Sequence, residues 1–171
     1  MNEISVLMNL LSKKRSNIQI GAPKKEILEN LGLNEKNGSI YFQKLLIELS
    51  NYLRPIGMEI RYNPLNFHWF ITFESEISEL ISANPFEGRP SLAATLFCAI
   101  TYCLKSSGKA SILDIQKLRN KKHILEDLQE LETLGYIEIN KETNHVKLTP
   151  LIGYKLDIPK LLLNTALKVK D

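Results

Sequence analysis

Hydrophobic positions recur along this chain in two successive sets, each an apolar helix, a short helix and a longer helix followed by two extended stretches divided by a polar turn. In the first set Ile4, Leu7, Met8 and Leu11 stand at i, i+3, i+4 and i+7, which predicts an opening helix with one buried face. After a polar break, Pro23 suits a first helical turn, Ile27, Leu28 and Leu31 supply an apolar face, and Gly32 offers a stop. An Asn37-Gly38 turn and a Ser39 cap are expected to open the third helix, whose stripe is Phe42, Leu45, Leu46, Leu49 and Leu53, closed by Pro55 and Gly57. Met58, Ile60 and Tyr62 then alternate as a strand, Pro64, Leu65 and Asn66 turn, and the aromatic run from Phe67 to Phe73 answers as its partner.

The second set repeats the order. Residues 91–104 predict a strongly apolar helix ending at Ser106, Ser107 and Gly108, and Ser111 or an adjacent residue starts a short helix with Ile112, Ile115 and Leu118. Residues 121–134 predict the third helix through Ile124, Leu125, Leu128 and Leu131, with Gly135 as its C-cap. Tyr136, Ile137 and Ile139 form one wing strand, residues 140–144 the turn, and Val146 and Leu148 the return, where Pro150 marks an edge or an end. Asp157 suits the cap of a final helix through Leu161, Leu162, Leu163 and Leu167. The reading is an α+β fold of tandem winged-helix domains: residues 1–83 with a linking helix, and residues 84–171 with a C-terminal tail helix.

Composition narrows the function. With 171 residues and 44% hydrophobic content the chain can build two small cores without disulfides. Cys98 and Cys103 lie five apart within an apolar helix, so buried free thiols in a reducing cytoplasm are expected. No secretory pattern and no run of 18 apolar residues occurs, which argues against export and membrane spanning. Catalytic signals are weak: His68, His123 and His145 lack ligand-spaced companions, Glu74, Glu76 and Glu79 read as linker carboxylates, and phosphate-binding or nucleophile-elbow motifs are missing. A non-enzymatic protein without cofactor or metal is expected.

Lysine plus arginine against aspartate plus glutamate is 10 against 10 in residues 1–89 and 12 against 9 in residues 90–171, too balanced for a strong DNA reader. The first third helix offers Lys44 and Arg54 beside Glu48, with Gln43 and Asn51 its only amides. The second has a cluster of Lys117, Arg119, Lys121, Lys122 and His123, but Glu126, Asp127, Glu130 and Glu132 follow at once. Lys117, Arg119, Lys121, Lys122 and Lys141 are therefore candidates for weak DNA contact only. Aromatic residues point instead to protein contact, with Tyr41, Tyr52, Trp69 and Phe70 as candidates for a partner or dimer interface. The competing reading is that the chain covers both faces of the aromatic strand itself.

The order of elements resembles the ScpB family, the kleisin-interacting tandem winged-helix (kite) proteins of SMC condensin complexes. The resemblance is carried by the run from Arg89, Pro90 and Ser91 to Tyr102, by residues 111–119 ending at Arg119, and by Ile124 and Leu125 through Leu134, Gly135, Tyr136 and Ile137. Residues 45–60 fit the first unit's long helix and its exit less specifically. Where family members often carry a glycine-arginine-proline wing loop, this chain has Asn140, Lys141, Glu142, Thr143, Asn144 and His145, a departure that leaves room for a diverged archaeal member. The resemblance implies a homodimer in the nucleoid-associated cytoplasm. Such a dimer binds an ScpA-like kleisin and, through it, an SMC ATPase, acting in chromosome condensation and segregation. The alternative is a winged-helix transcriptional regulator.

Overall fold

The computed structural model describes residues 2–74 and 86–160, without the side chains of Glu35 and Asn37. The expected linking helix, with Glu76 and Glu79, and the tail-helix residues 161–167 lie outside those residues. By packing, the chain divides into two compact units, residues 1–83 with 153–171 and residues 84–152.

In the first unit α1 (Glu3–Ser12) is followed by a small hairpin, β1 (Lys14–Ser16) and β2 (Gln19–Ile20), and by β3 (Ala22–Pro23). The chain continues through α2 (Lys24–Asn30), α3 (Glu35–Leu53), β4 (Met58–Asn63) and β5 (His68–Phe73). The sheet order is β3-β5-β4, all antiparallel. Leu7, Leu10 and Leu11 of α1, Ile27 and Leu28 of α2, and Phe42, Leu45, Leu49 and Leu53 of α3 form one core, against which Trp69 and Ile71 of β5 pack. Met8, expected in the buried stripe, is 46% exposed, because α1 is turned so that Leu10 faces inward in its place.

The third helix begins before the expected Ser39 cap. Asn34 is the N-cap, its side chain accepting from the Lys36 N–H, and Gly38 sits inside the helix. A Cβ at Gly38 would lie 2.8 Å from a Leu28 methyl, so this glycine serves the close approach of α3 to α2 rather than a turn. Ser39 instead accepts from Lys24 Nζ at 2.8 Å. The other end follows expectation: a 3-10 turn, Arg54–Ile56, carries Pro55, and Gly57 closes it in the left-handed region at φ 71°. Phe67 belongs to the β4–β5 turn, at φ 62°, so the return strand starts one residue later than the aromatic run suggests.

The second unit has α4 (Pro90–Lys105), β6 (Lys109–Ser111), α5 (Ile112–Arg119), α6 (Leu125–Thr133), β7 (Ile137–Asn140) and β8 (His145–Leu148), and its sheet order is β6-β8-β7. Both units thus place the first strand beside the last. With three helices and a wing hairpin in each, the fold is α+β and tandem winged-helix. Ser111 caps α5 as expected, accepting from the Leu113 N–H. α6 starts at Leu125 rather than near Lys121, because Asn120 turns the chain at φ 49° and Lys121 reaches back over the helix start. Cys98 and Cys103 are free and buried, and burial pushes the Cys103 thiol up to about 11.

Pro150 opens α7 (Pro150–Lys155) instead of ending the fold at a strand edge. Its residues from Gly153 onward count with the first unit. There Tyr154 lays its ring edge-on to Phe70, 4.8 Å between centroids and 82° between planes. The Tyr154 hydroxyl donates to Ile20 O at 3.0 Å and accepts from the Ile20 N–H at 3.0 Å and from Asn66 Nδ2 at 2.7 Å. Gly153 leaves room for Asn63, since a Cβ there would stand 1.9 Å from Asn63 Oδ1. Beyond α7, Asp157 caps the turn at 158–160 by accepting from the Lys160 N–H at 3.1 Å.

Tyr154→Phe keeps the ring packing but strands the Ile20 N–H, so we expect a loss of about 1–3 kcal/mol in denaturant unfolding, because an unmade buried hydrogen bond costs that much. A change below about 0.5 kcal/mol, within the range of ordinary surface substitutions, would show that the hydroxyl contributes nothing.

Candidate interaction surfaces

The rotation of α3 about its axis decides which residues the first unit offers to solvent. With Phe42, Leu45, Leu49 and Leu53 inward, the outer side carries Ile40 at 71% exposure, Ile47 at 63% and Tyr52 at 64%, with Lys44, Glu48 and Asn51 among them. Ile56, in the turn that follows, is also exposed. Tyr41 is held at the edge of this face, its hydroxyl hydrogen-bonded to Glu3, and that hydrogen bond, followed by desolvation and the nearby carboxylates, raises the phenol above its ordinary value. Tyr41 and Tyr52 are therefore at the surface. Ile40, Ile47 and Ile56 were missed in the sequence reading, although Ile40 and Ile47 stand seven apart and off the buried stripe, which is the signal that marks them.

The other two aromatic candidates are not surface groups. Phe70 is 2% exposed, covered by the Tyr154 ring and by the Arg61 guanidinium 5.7 Å from its centroid, so the expectation of an outward Phe70 is corrected. On the face opposite the helical core, Tyr154 packs on Phe70 and Asp157 lies 3.9 Å from Arg61. Trp69 is half-buried on the core side, edge-on to Phe42 at 5.6 Å and tilted against Tyr62 at 5.1 Å. His68 Nδ1 lies 3.1 Å from Ile20 O.

In the second unit the basic cluster is split. Arg119 Nη2 donates to Ser91 O and Oγ at 3.4 and 3.3 Å, and Lys121 Nζ donates to Ser91 Oγ at 3.0 Å and to Asp127 Oδ2 at 2.9 Å. Thr95 adds a donor to the same Asp127 oxygen at 2.7 Å. Two of the five candidate DNA contacts thus serve an internal network joining the starts of α4 and α6. Lys117, Lys122 and Lys141 are exposed, as is His123. The outer side of α6 shows Leu125, Glu126, Gln129, Glu130 and Thr133, with Glu130 paired to Arg89. Carboxylates on that side repel a phosphate backbone. Further large apolar side chains, Phe97 at 54%, Leu113 at 64% and Leu118 at 50%, are exposed on α4 and α5.

Among the described residues no group of three or more His, Cys, Asp or Glu side chains could hold a metal ion, and no helix is long and apolar enough to cross a membrane. His145 Nδ1 is 2.6 Å from Thr143 O within the second wing. Glu74 follows β5, its N–H bonded to Gly57 O at 2.9 Å.

Two winged-helix units in one chain define the class: a tandem winged-helix protein whose third helices carry apolar or acidic outer faces. Among solved structures the chain is similar to ScpB from Mycobacterium tuberculosis, at 12% identity over 86% of this chain and 88% of that one, TM-score 0.35. It is also similar to a conserved hypothetical protein from Chlorobium tepidum, at 13% identity over 90% and 96%, TM-score 0.38. A third similar chain belongs to an Nse1-Nse3-Nse4 complex, at 11% identity over 86% and 79%, TM-score 0.39. No protein-family profile and no curated protein matches the sequence.

Burial works to raise the Asp127 pKa, but the hydrogen bonds from Lys121, Thr95 and Ser91 and the lysine charge outweigh it and hold the carboxyl below its ordinary value. A carboxyl depressed by folding stabilises the fold above its unfolded pKa, and that contribution is lost as pH falls through the folded one. Asp127→Asn should therefore cost about 1 kcal/mol at neutral pH, with the gap to wild type closing as pH drops below the ordinary value of 3.8. Unfolding titrations at a series of pH values test this, and a gap that persists in acid would contradict it.

Proposed function

We propose that this chain is a non-enzymatic, kleisin-binding subunit of an SMC condensin-type complex, acting at the nucleoid in chromosome condensation and segregation. The identity of the partner rests on the resemblance of residues 89–119 and 124–137 to the ScpB family. The observation that carries the functional class is the character of the two outer third-helix faces: isoleucine and tyrosine on α3, leucine and glutamate on α6. A groove-reading helix needs Arg, Lys, Asn or Gln aimed at base edges, flanked by phosphate contacts. These faces suit polypeptide. An amphipathic or extended kleisin segment buries apolar anchors, and the exposed Phe97, Leu113, Leu118 and Leu125 of the second unit offer such contacts.

In this mechanism a homodimer places two kleisin-binding surfaces in one particle and restricts the arrangements of the SMC arms. Lys117, Lys122 and Lys141, exposed on the second unit, favour at most weak nonspecific DNA contact alongside that role. A DNA-binding regulator is the second reading, in which those same three lysines would contact phosphates.

Salt separates the two. Co-purification from the native host should recover a kleisin, identified by mass spectrometry, and retention should survive a rise from about 0.1 M to about 1 M salt, which shortens the screening length from about 10 Å to about 3 Å. Phe97→Asp with Leu125→Asp should weaken retention by at least about tenfold without loss of helicity. Recovery of DNA without kleisin, lost at the higher salt, would favour the regulator.

A further inference from the structure

We propose that the β1–β2 hairpin and the adjoining start of α2 hold the phosphate backbone of duplex nucleic acid, at a site separate from both third helices. Charge is segregated here although the first 89 residues balance overall. From Ile4 to Lys25 no Asp or Glu occurs, and that stretch holds Lys13, Lys14, Arg15, Lys24 and Lys25. All of β1 is exposed, as are Lys13 before it and Lys25 on α2. Two of the cations serve the fold itself: Arg15 pairs with Glu26, and Lys24 Nζ donates to Ser39 Oγ at 2.8 Å. Lys13, Lys14 and Lys25 make no ion pair among the described residues. Glu29 follows Lys25 by four residues, the weaker of the two orders for a pair within one helix. Because the Arg15–Glu26 pair brings the start of α2 against the hairpin, the three unpaired lysines share one region.

The hairpin is fastened at its base. The Gly21 N–H donates to Lys13 O at 2.9 Å and Arg15 Nε to Gly21 O at 3.0 Å, while the Tyr154 hydroxyl takes both backbone groups of Ile20. A backbone fixed beforehand leaves only the lysine side chains to be ordered on binding. The kind of partner follows from what three exposed lysines can gain. Against an acidic polypeptide they form surface ion pairs, each worth at most about 1 kcal/mol. Such a partner also needs a buried apolar anchor, and Ile18, 39% exposed, is the one large apolar side chain that the hairpin exposes. Against a duplex backbone, each phosphate neutralised also releases about 0.9 of a condensed counterion. The patch therefore suits polyphosphate better than carboxylate, and phosphate contacts of this kind carry no base-sequence information.

The test is a fluorescence-anisotropy titration of duplex DNA with the full chain at salt from about 50 to about 200 mM, with far-UV circular dichroism to confirm that each variant folds. Three phosphate contacts contribute about −2.7 to the slope of log affinity against log salt, about fortyfold over that range. Lys13→Gln with Lys14→Gln and Lys25→Gln should therefore flatten the slope by about 2–3 and weaken binding at the lower salt by at least about tenfold. Lys117→Gln with Lys122→Gln and Lys141→Gln is the comparison, and it should leave the hairpin's share of the slope in place. No binding at about 50 mM salt with about 100 μM chain would overturn the proposal, as would a hairpin variant with the wild-type slope. A peptide of alternating Glu and Gly that displaces the duplex at equal carboxylate and phosphate concentration would mark a polypeptide site instead. Kleisin retention is read separately, by co-purification at high salt, so either result leaves that reading to its own test.

Discussion

The packing of one stripe of α3 fixes what the first unit's third helix can offer to a partner. Phe42, Leu45, Leu49 and Leu53 are all buried against α1, α2 and the wing strands. Full burial of such side chains is worth about 1.5–3 kcal/mol each, so rotating the helix to present another face would forfeit most of the unit's stability. Because α3 is the element a winged helix would send into a DNA groove, its rotation fixes what a partner meets. That surface is Ile40, Ile47 and Tyr52 with one positive and one negative charge, a composition that gains from desolvation against protein and gains little from phosphate.

The second unit reaches a comparable result by a different route. Its third helix has fewer exposed apolar groups, but its acidic outer side follows directly on a basic turn, and the turn's cations are partly consumed by Ser91 and Asp127 at the helix starts. Local ionic order at that junction therefore takes Arg119 and Lys121 out of the positive surface that the basic cluster offers. At that junction charge serves the folded module, through the bonds of Lys121 to Ser91 and Asp127.

Much of this architecture was legible in the residue pattern. The repeated helix order, the Gly57 and Gly135 stops, the Ser111 cap and both wing hairpins follow from apolar periodicity and turn chemistry. The short strands β3 and β6 were not, since two or three residues carry no period and are defined only by pairing with β5 and β8. Asn37-Gly38 misled because a glycine that admits a neighbouring helix looks, in sequence, like one that makes a turn. Phe70 misled for a longer-range reason: alternation places it on the face away from the helices, and its cover comes from Arg61 on the paired strand and from Tyr154, far along the chain. The exposed isoleucines of α3 were readable in principle, as apolar residues off the buried stripe.

The central claim is that the third helices meet protein rather than read DNA. Its most direct test is a fluorescence-anisotropy titration of the full chain against duplex DNA at about 50 and 200 mM salt, conditions between which six to ten phosphate contacts would change affinity by about 10³–10⁵. The account predicts weak, sequence-independent binding at the lower salt and none in the micromolar range at the higher. Tight, sequence-selective binding with that steep salt dependence would contradict it.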